Sequence, residues 1–195
     1  MTTIGFDSGV LVAAFAFLVL GSVLAFLVVT TYNDVVGLRN RIDKAWSNID
    51  VALKQRHDQL PALVDAVRGQ LAFERGVVEA VADRRAGYRP DEPIPAQAAA
   101  SDATTVAVRQ LFAVVERYPD LKSQENVLAL QSSIERLEEL LAARRELYND
   151  QVFRYNTRIS QVPGVALAGL LGWRPRAFFK ADPGDAQPPV VSTEA

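Results

Sequence analysis

An uncharged stretch near the N-terminus constrains this chain more than any other feature. Residues Val10 to Thr31 are almost entirely apolar, and no charged side chain occurs between Asp7 and Asp34. At a rise of about 1.5 Å per residue, about 20 apolar residues cover the ~30 Å hydrocarbon core of a bilayer. The stretch therefore predicts a transmembrane helix over residues 10–31, which follows a short segment, 1–9, and tethers the remaining chain to a membrane.

A cleaved signal peptide is the alternative interpretation of this stretch. Signal peptides have a basic N-terminal region, an apolar core of about 7–15 residues and a small-residue cleavage site. Here Asp7 is the only charged residue before the apolar run, the run is longer, and it ends in Val-Val-Thr-Thr-Tyr. We therefore expect a retained, single-pass anchor.

Basic residues beside the anchor predict its orientation, because cytoplasmic flanks carry an excess of Lys and Arg within about 15–20 residues of the span. The N-terminal flank has none, whereas the other flank has Arg39, Arg41 and Lys44. We expect a cell-membrane protein with its N-terminus outside and its large domain in the cytoplasm. The alternative places the large domain on the outer side.

Composition limits the chemistry of the remaining chain. The 195 residues carry a formal net charge of -2 and include one histidine and no cysteine. The lack of cysteine excludes disulfides, thiolate catalysis and zinc–thiolate sites, and the charge gives no reason to expect a nucleic-acid partner. About 145 residues remain after the anchor and the polar tail, which is enough for one buried core.

Apolar residues after the anchor recur in steps of three and four, which predicts α-helices. No proline separates the anchor from the first stripe, so one helix is expected to continue from about Val10 to His57. Asp58 and Pro61 then predict a break and a second, antiparallel helix, with a kinked continuous helix as the alternative. The predicted helices after the anchor cover residues 34–57, 61–87, 102–117, 124–162 and, in a short piece, 165–173.

The fold class follows from this pattern. We predict an all-α protein, in which the transmembrane helix precedes an antiparallel up-and-down bundle of about four helices over residues 32–180. Three prolines between Arg89 and Pro95 exclude regular structure there, and Ser101-Asp102 is the expected cap of the third bundle helix. The Pro-, Gly-, Gln- and Ser-containing tail, 181–195, is predicted to be disordered.

The short apolar piece at 165–173 is too short to span a bilayer. We expect it to cover the end of the bundle. The alternative is that it lies on the membrane surface, with Trp173, Phe178 and Phe179 as interfacial residues.

His57 beside Asp58 is the one pair that resembles an acid–base or metal site. A lone histidine at a helix break is more often a capping or solvent-facing residue, and no second histidine, cysteine or carboxylate cluster supports a metal centre. We expect the acidic residues of the long helix to lie on a solvated face; these are Glu135, Glu138 and Glu139.

Other reactive or phosphate-binding patterns are missing from the sequence. No glycine-rich loop follows a predicted strand, and the doublets Arg84-Arg85 and Arg144-Arg145 have no interleaved aromatic residues of the kind found in nucleic-acid surfaces. We therefore predict no catalytic, cofactor-binding or metal-binding residue, no cofactor and no enzymatic activity. An enzyme acting through His57 and Asp58 is the remaining catalytic hypothesis.

A repeated Tyr-Asn pair is the more unusual signal. It occurs at Tyr32-Asn33, Tyr148-Asn149 and Tyr155-Asn156, and the last two pairs lie seven residues apart, on one helical face. A phenol and an amide at the edge of a core require hydrogen-bonding partners. The pairs either fix the register of the bundle helices or form a polar recognition groove.

Motifs across the chain resemble those of the LemA family, from Tyr32 to about Pro175. The matching segments, in order, are Tyr32-Asn33, Leu38-Arg39-Asn40, 45–51, 53–61, Tyr118-Pro119-Asp120-Leu121-Lys122, Leu130-Gln131, Ala143-Arg144-Arg145, Tyr148-Asn149-Asp150 and Tyr155-Asn156-Thr157. The resemblance implies a bacterial membrane protein with one N-terminal span and an antiparallel helical bundle, without established catalytic residues. One branch of the family is linked to magnetosome formation. The proline-rich loop at 89–95 and the tail after Lys180 depart from the family pattern.

Two functional hypotheses follow. The first is a membrane-anchored scaffold or interaction module, which contacts the lipid bilayer through Val10–Thr31 and binds a protein partner or a second copy of itself. The alternative is a membrane-tethered sensor or regulatory module that binds a ligand between the bundle helices. Neither hypothesis includes nucleic acid as a partner.

Overall fold

The computed structural model describes residues 8–68, 75–85 and 89–180, with only the backbone described for Ser8, Arg84 and Arg85. Within these ranges the chain forms helices and no strands, which confirms the all-α prediction. The helices are α1 (Ser8–Arg68), α2 (Arg75–Arg85), α3 (Ile94–Val115), α4 (Pro119–Lys122), α5 (Glu125–Ser160) and α6 (Gly164–Leu171). The predicted disordered tail lies outside the described residues.

Packing divides the chain into two compact units. One, the anchor unit, comprises residues up to Arg41 together with Phe153–Arg176, and so contains the apolar stretch and α6. The other, the bundle unit, comprises Ile42–Val152 and the chain from Ala177 onward.

Helix α1 continues through the predicted break at His57–Pro61, so the expected second helix starting at residue 61 is wrong. Pro61 costs the helix one main-chain hydrogen bond, roughly 3 kcal/mol in a helix interior. The buried stripe nevertheless continues past it in helical spacing, with Leu60, Leu63 and Val67 all at most 1 % exposed. Burying each such side chain contributes about 1.5–3 kcal/mol, which offsets the proline. The uninterrupted helix expected from Val10 to His57 is present and extends to Arg68.

The core of the bundle unit is built from aliphatic side chains of α1 to α5. Its members that are at most 1 % exposed are Leu60, Leu63, Val67, Val81, Val108, Leu111, Val115, Leu121, Val127 and Ile134. Hydrogen bonds show that α1 and α5 are antiparallel: Arg56 contacts Glu138, and Gln59, further along α1, contacts Ser133, which comes earlier on α5. The predicted bundle likewise has its first and last long helices antiparallel, but the predicted return of the chain at residue 61 does not occur.

Helix α3 begins at Ile94, eight residues before the predicted cap at Asp102. Pro95 lies in its first turn, where a missing N–H costs nothing. The Gln97 amide donates to the main-chain oxygens of Pro90 and Glu92, at 3.0 and 2.8 Å, and so fastens the preceding loop. Asp102 forms an ion pair with Arg145 instead of capping a helix.

A buried arginine connects three helices of the bundle unit. Arg56 on α1 is 4 % exposed. Its guanidinium donates to Glu138 on α5 at 2.8 Å, and to the hydroxyls of Ser101 and Thr105 on α3 at 2.9 and 3.0 Å. Thr105 donates in turn to the second carboxylate oxygen of Glu138, at 2.6 Å. Glu138 therefore accepts hydrogen bonds from Arg56 and Thr105 at a largely buried position, and its predicted place on a solvated face is wrong.

Within the anchor unit, the apolar residues of α1 remain exposed, as expected for side chains that face lipid. Of the described helices, α1 is the one long and apolar enough to cross a membrane, and none of its most apolar stretch is buried in the protein. The end of α5 packs beside it, where Arg158 donates to Asp34 at 2.9 Å. Helix α6 follows immediately, and its first residue, Gly164, lies so close to the Arg158 carbonyl that a side chain would not fit.

Helix α6 lies beside the last turns of the apolar stretch. Residues Val28, Val29 and Tyr32 of α1 and Leu167, Leu170 and Leu171 of α6 line an apolar groove of about 290 Å³. Trp173 packs against Tyr32, with ring centroids 6.1 Å apart. The sequence favoured packing of this piece on the bundle, but the structure groups α6 with the anchor.

Replacing Arg56 with leucine should destabilise the protein by roughly 3–5 kcal/mol, because Glu138 then keeps a charge in a largely buried site without its partner. Urea unfolding of the full-length protein in detergent micelles measures the effect. The double variant Arg56→Leu/Glu138→Leu should recover much of this stability. The exposed Arg136→Leu serves as control and should change it by no more than about 0.5 kcal/mol. Additive losses in the double variant would contradict the expectation.

Candidate functional site

The chain after α6 is bound by two of the three Tyr-Asn pairs. Residues 173–178 form neither helix nor strand. We call residues 173–180 the C-terminal segment. The Tyr-Asn pairs on α5 hold it through its main-chain atoms, one pair in each unit.

In the anchor unit, the pair Tyr155-Asn156 binds the first part of the segment. The Tyr155 hydroxyl donates to the carbonyl oxygen of Arg174 at 3.1 Å. The Asn156 amide makes two hydrogen bonds to one residue: its nitrogen donates to the Arg176 carbonyl at 3.0 Å, and its oxygen accepts the Arg176 N–H at 2.8 Å.

In the bundle unit, the pair Tyr148-Asn149 makes the same set of contacts. The Tyr148 hydroxyl donates to the Ala177 carbonyl at 2.9 Å. The Asn149 amide donates to the Phe179 carbonyl at 3.3 Å and accepts the Phe179 N–H at 2.8 Å. Each asparagine thus satisfies both the donor and the acceptor of one residue, as a neighbouring strand would in an antiparallel sheet.

The Phe179 side chain fills an aromatic pocket of the bundle unit and is 2 % exposed. Its ring lies 5.8 Å from the Trp46 ring, and Trp46 lies 5.8 Å from Tyr148. The Arg145 guanidinium lies 4.6 Å above the Phe179 ring and forms an ion pair with Asp102. The rings are tilted or edge-to-face rather than stacked, and such aromatic pairs and a cation above a ring each add to the free energy of burial.

In each unit, a Tyr-Asn pair holds an extended part of the chain's own C-terminal segment, and in the bundle unit one aromatic side chain of that segment is buried. The asparagine and tyrosine contacts involve only main-chain atoms of the segment, so they carry little sequence preference. The aromatic pocket supplies the preference, because it takes a phenylalanine ring. The site therefore offers binding chemistry of the kind found in protein–protein recognition.

The Tyr-Asn motif was the correct signal, but its partner was not predicted. Sequence reasoning expected partners across the bundle or an open groove, whereas the partners are the main-chain atoms of the C-terminal segment. Phe179 was considered as a membrane-interface residue, and instead it is buried. The third pair differs: Tyr32 contacts Trp173 in the anchor unit, and Asn33 lines a separate groove.

The remaining polar residues that the sequence singles out form no larger cluster among the described residues. His57 and Asp58 are neighbours on α1 with 3.1 Å between Nδ1 and Oδ1, and the Asp58 side chain is largely exposed. Within residues 8–68, 75–85 and 89–180, no group of three or more His, Asp or Glu residues could hold a metal ion. Arg144 donates to the Asn48 carbonyl, and the side chains of Arg84 and Arg85 lie outside the described residues.

An apolar helix suited to anchoring in a membrane, followed by a helical bundle, defines a membrane-associated helical protein. The LemA family model matches residues 45–192, so the chain belongs to the LemA family, which confirms the resemblance.

Similar curated proteins are magnetosome proteins. The chain is 24 % identical over 198 residues to both MamQ 1 and MamQ 2 of Paramagnetospirillum magneticum, covering 87 % of this chain and 73 % of each relative. It is 28 % identical over 85 residues to MamQ of Magnetospirillum gryphiswaldense, covering 44 % of this chain and 31 % of that protein.

Replacing Asn156 with alanine should release the main chain at Arg176, and trypsin should then cleave the Arg176–Ala177 bond faster. Loss of two hydrogen bonds corresponds to about 1–3 kcal/mol, or roughly 5- to 150-fold in the population of the open segment. Intact-mass spectrometry follows the cleavage. Asn33→Ala, from the third Tyr-Asn pair, is the matched control and should leave the rate unchanged. Equal rates in wild type and Asn156→Ala would contradict this role for the amide.

Proposed function

We propose that this protein is a membrane-anchored scaffold, whose helical domain associates with a second copy of itself or with a partner protein at the bacterial membrane. The proposal includes no catalytic step. Its similarity to proteins named as magnetosome proteins supports a membrane-associated role.

The recognition of the C-terminal segment carries this proposal. The Tyr148-Asn149 pair and the aromatic pocket bind an extended chain with a buried aromatic residue, and such anchors commonly supply most of the energy of a protein interface. The contacts are made by atoms that any extended polypeptide offers, apart from the ring of Phe179. A segment from another molecule would therefore fit the same site.

A second copy is the occupant that we favour, because it carries the same C-terminal segment in its own sequence. Exchange of identical segments between copies forms dimers at low cost, since every contact made within one chain is made again between two. Tethering restricts the copies to a surface and so raises their effective concentration for one another. Assembly at the membrane would follow from this exchange.

The orientation that we propose places the N-terminus outside and the helical domain in the cytoplasm. Support comes from Arg39, Arg41 and Lys44, which flank the span on one side, whereas no basic residue precedes it. The C-terminal segment would then face cytoplasmic partners and other copies of the chain.

Photo-crosslinking in cells tests the exchange. A tagged donor copy carries p-benzoylphenylalanine in place of Phe178, next to the buried Phe179, and is co-expressed with an untagged acceptor copy. We expect a crosslinked dimer that contains both copies. Asn149→Ala in the acceptor should reduce this dimer several-fold, because the docking amide is lost, and Asn33→Ala in the acceptor should not.

Crosslinks confined to single chains would reject the exchange between copies. A dimer of equal yield with the Asn149→Ala acceptor would show association through another surface. A crosslink to a different protein that the Asn149→Ala substitution abolishes would assign the site to a partner instead.

Reporter fusions test the proposed orientation. Alkaline phosphatase fused after Ala195 should be inactive, and green fluorescent protein fused there should fluoresce, since the C-terminus is expected in the cytoplasm. Moving the three basic residues to the N-terminal flank should invert both results. An active phosphatase on the unaltered chain would place the domain outside.

A further inference from the structure

A groove of about 450 Å³ in the anchor unit lies between the part of α1 that follows the apolar stretch and the last turns of α5. It is separate from the Tyr-Asn contacts. The residues that matter for its chemistry are Asp34, Gly37 and Arg41 on α1 and Arg154, Thr157 and Arg158 on α5.

The lining of the groove carries more basic than acidic side chains. Three guanidinium groups line it, against the single carboxylate of Asp34. Arg158 donates to Asp34 at 2.9 Å and to the Thr31 hydroxyl at 3.4 Å, so that one positive charge is compensated within the groove. Arginine binds phosphate oxygens with its fork of N–H donors, which favours a phosphate-bearing ligand here.

The position of the groove along α1 identifies the source of that phosphate. Asp34, Gly37 and Arg41 follow Thr31, the last residue of the apolar stretch, by 3, 6 and 10 residues, or about 4.5–15 Å along a helix. Headgroups occupy about 5–8 Å outside the hydrocarbon core. Side chains on a helix tilt toward its N-terminus, which brings Arg41 back toward the bilayer.

We propose that this groove binds the phosphate of an anionic phospholipid such as phosphatidylglycerol, while the acyl chains of that lipid remain in the bilayer beside α1. Gly37 leaves the space for the headgroup, since a Cβ added there would meet no atom within 4 Å. Arg41 would supply the guanidinium for this phosphate, and Thr157, which also lines the groove, would offer its hydroxyl as an additional donor.

Electron paramagnetic resonance with spin-labelled lipids tests the proposal on the full-length protein. The protein is reconstituted in phosphatidylcholine bilayers that contain a trace of labelled phosphatidylglycerol or labelled phosphatidylcholine. We expect phosphatidylglycerol to associate with the protein more strongly than phosphatidylcholine. Arg41→Gln should lower that preference several-fold, because the charge-assisted hydrogen bonds from its guanidinium to the phosphate are lost.

Two further variants separate a shaped site from diffuse attraction. Arg39→Gln removes the same charge from an exposed position of α1 outside the groove, and it should leave the preference nearly unchanged. Gly37→Leu fills the groove without altering any charge and should abolish the preference. Circular dichroism of each variant checks that the helices are intact.

Equal association of the two lipids, or equal losses for Arg39→Gln and Arg41→Gln, would overturn the proposal. Addition of inorganic phosphate in the millimolar range should not compete with labelled phosphatidylglycerol. Competition by inorganic phosphate would show that the groove takes a free anion and would equally overturn a lipid site.

Discussion

Burial of a permanently charged guanidinium is the interaction on which the bundle unit depends. Removing Arg56 from water would cost several kcal/mol without compensation, and the compensation comes from α3 and α5 together. Aliphatic side chains tolerate sliding of one helix past another, because their contacts are non-directional. Hydrogen bonds from one guanidinium to Ser101, Thr105 and Glu138 are directional and would break if the helices slid. They therefore select one register of α1 against α3 and α5 among those that the apolar stripes allow.

Buried polar groups need hydrogen bonds in the C-terminal segment as well. Here the group is the main chain of the segment itself, and each asparagine amide supplies a donor and an acceptor. Asn156 does this for Arg176 in the anchor unit, and Asn149 does it for Phe179 in the bundle unit.

The sequence predicted most of the secondary structure because its apolar spacing is regular. It failed where tertiary packing outweighs a local preference. Pro61 is a strong local signal for a helix boundary, but Leu60, Leu63 and Val67 on one face keep α1 continuous. The prolines up to Pro95 predict an irregular loop, but Pro95 lies in the first turn of α3.

Polar side chains were harder to place than apolar ones. Glu138 follows the same pattern of alternating charge as Glu135 and Glu139, and only the position of Arg56 distinguishes it. The Tyr-Asn repeat predicted a polar contact without its partner, because that partner is main chain and leaves no trace in the pattern of side chains. One signal in the sequence does point to this partner. The segment after α6 contains Pro175 and has no helical pattern, so its main-chain groups need hydrogen-bonding partners such as the two Tyr-Asn pairs seven residues apart.

Recognition through main-chain atoms has a consequence for how this segment can change. Apart from Phe179, the side chains from Arg174 to Phe178 make none of the hydrogen bonds that the Tyr-Asn pairs form with it. The exposed residues among them are Arg174, Pro175 and Ala177, and these can be substituted while the hydrogen bonds are retained. Substitutions there would give this surface new binding properties without altering how the segment is held.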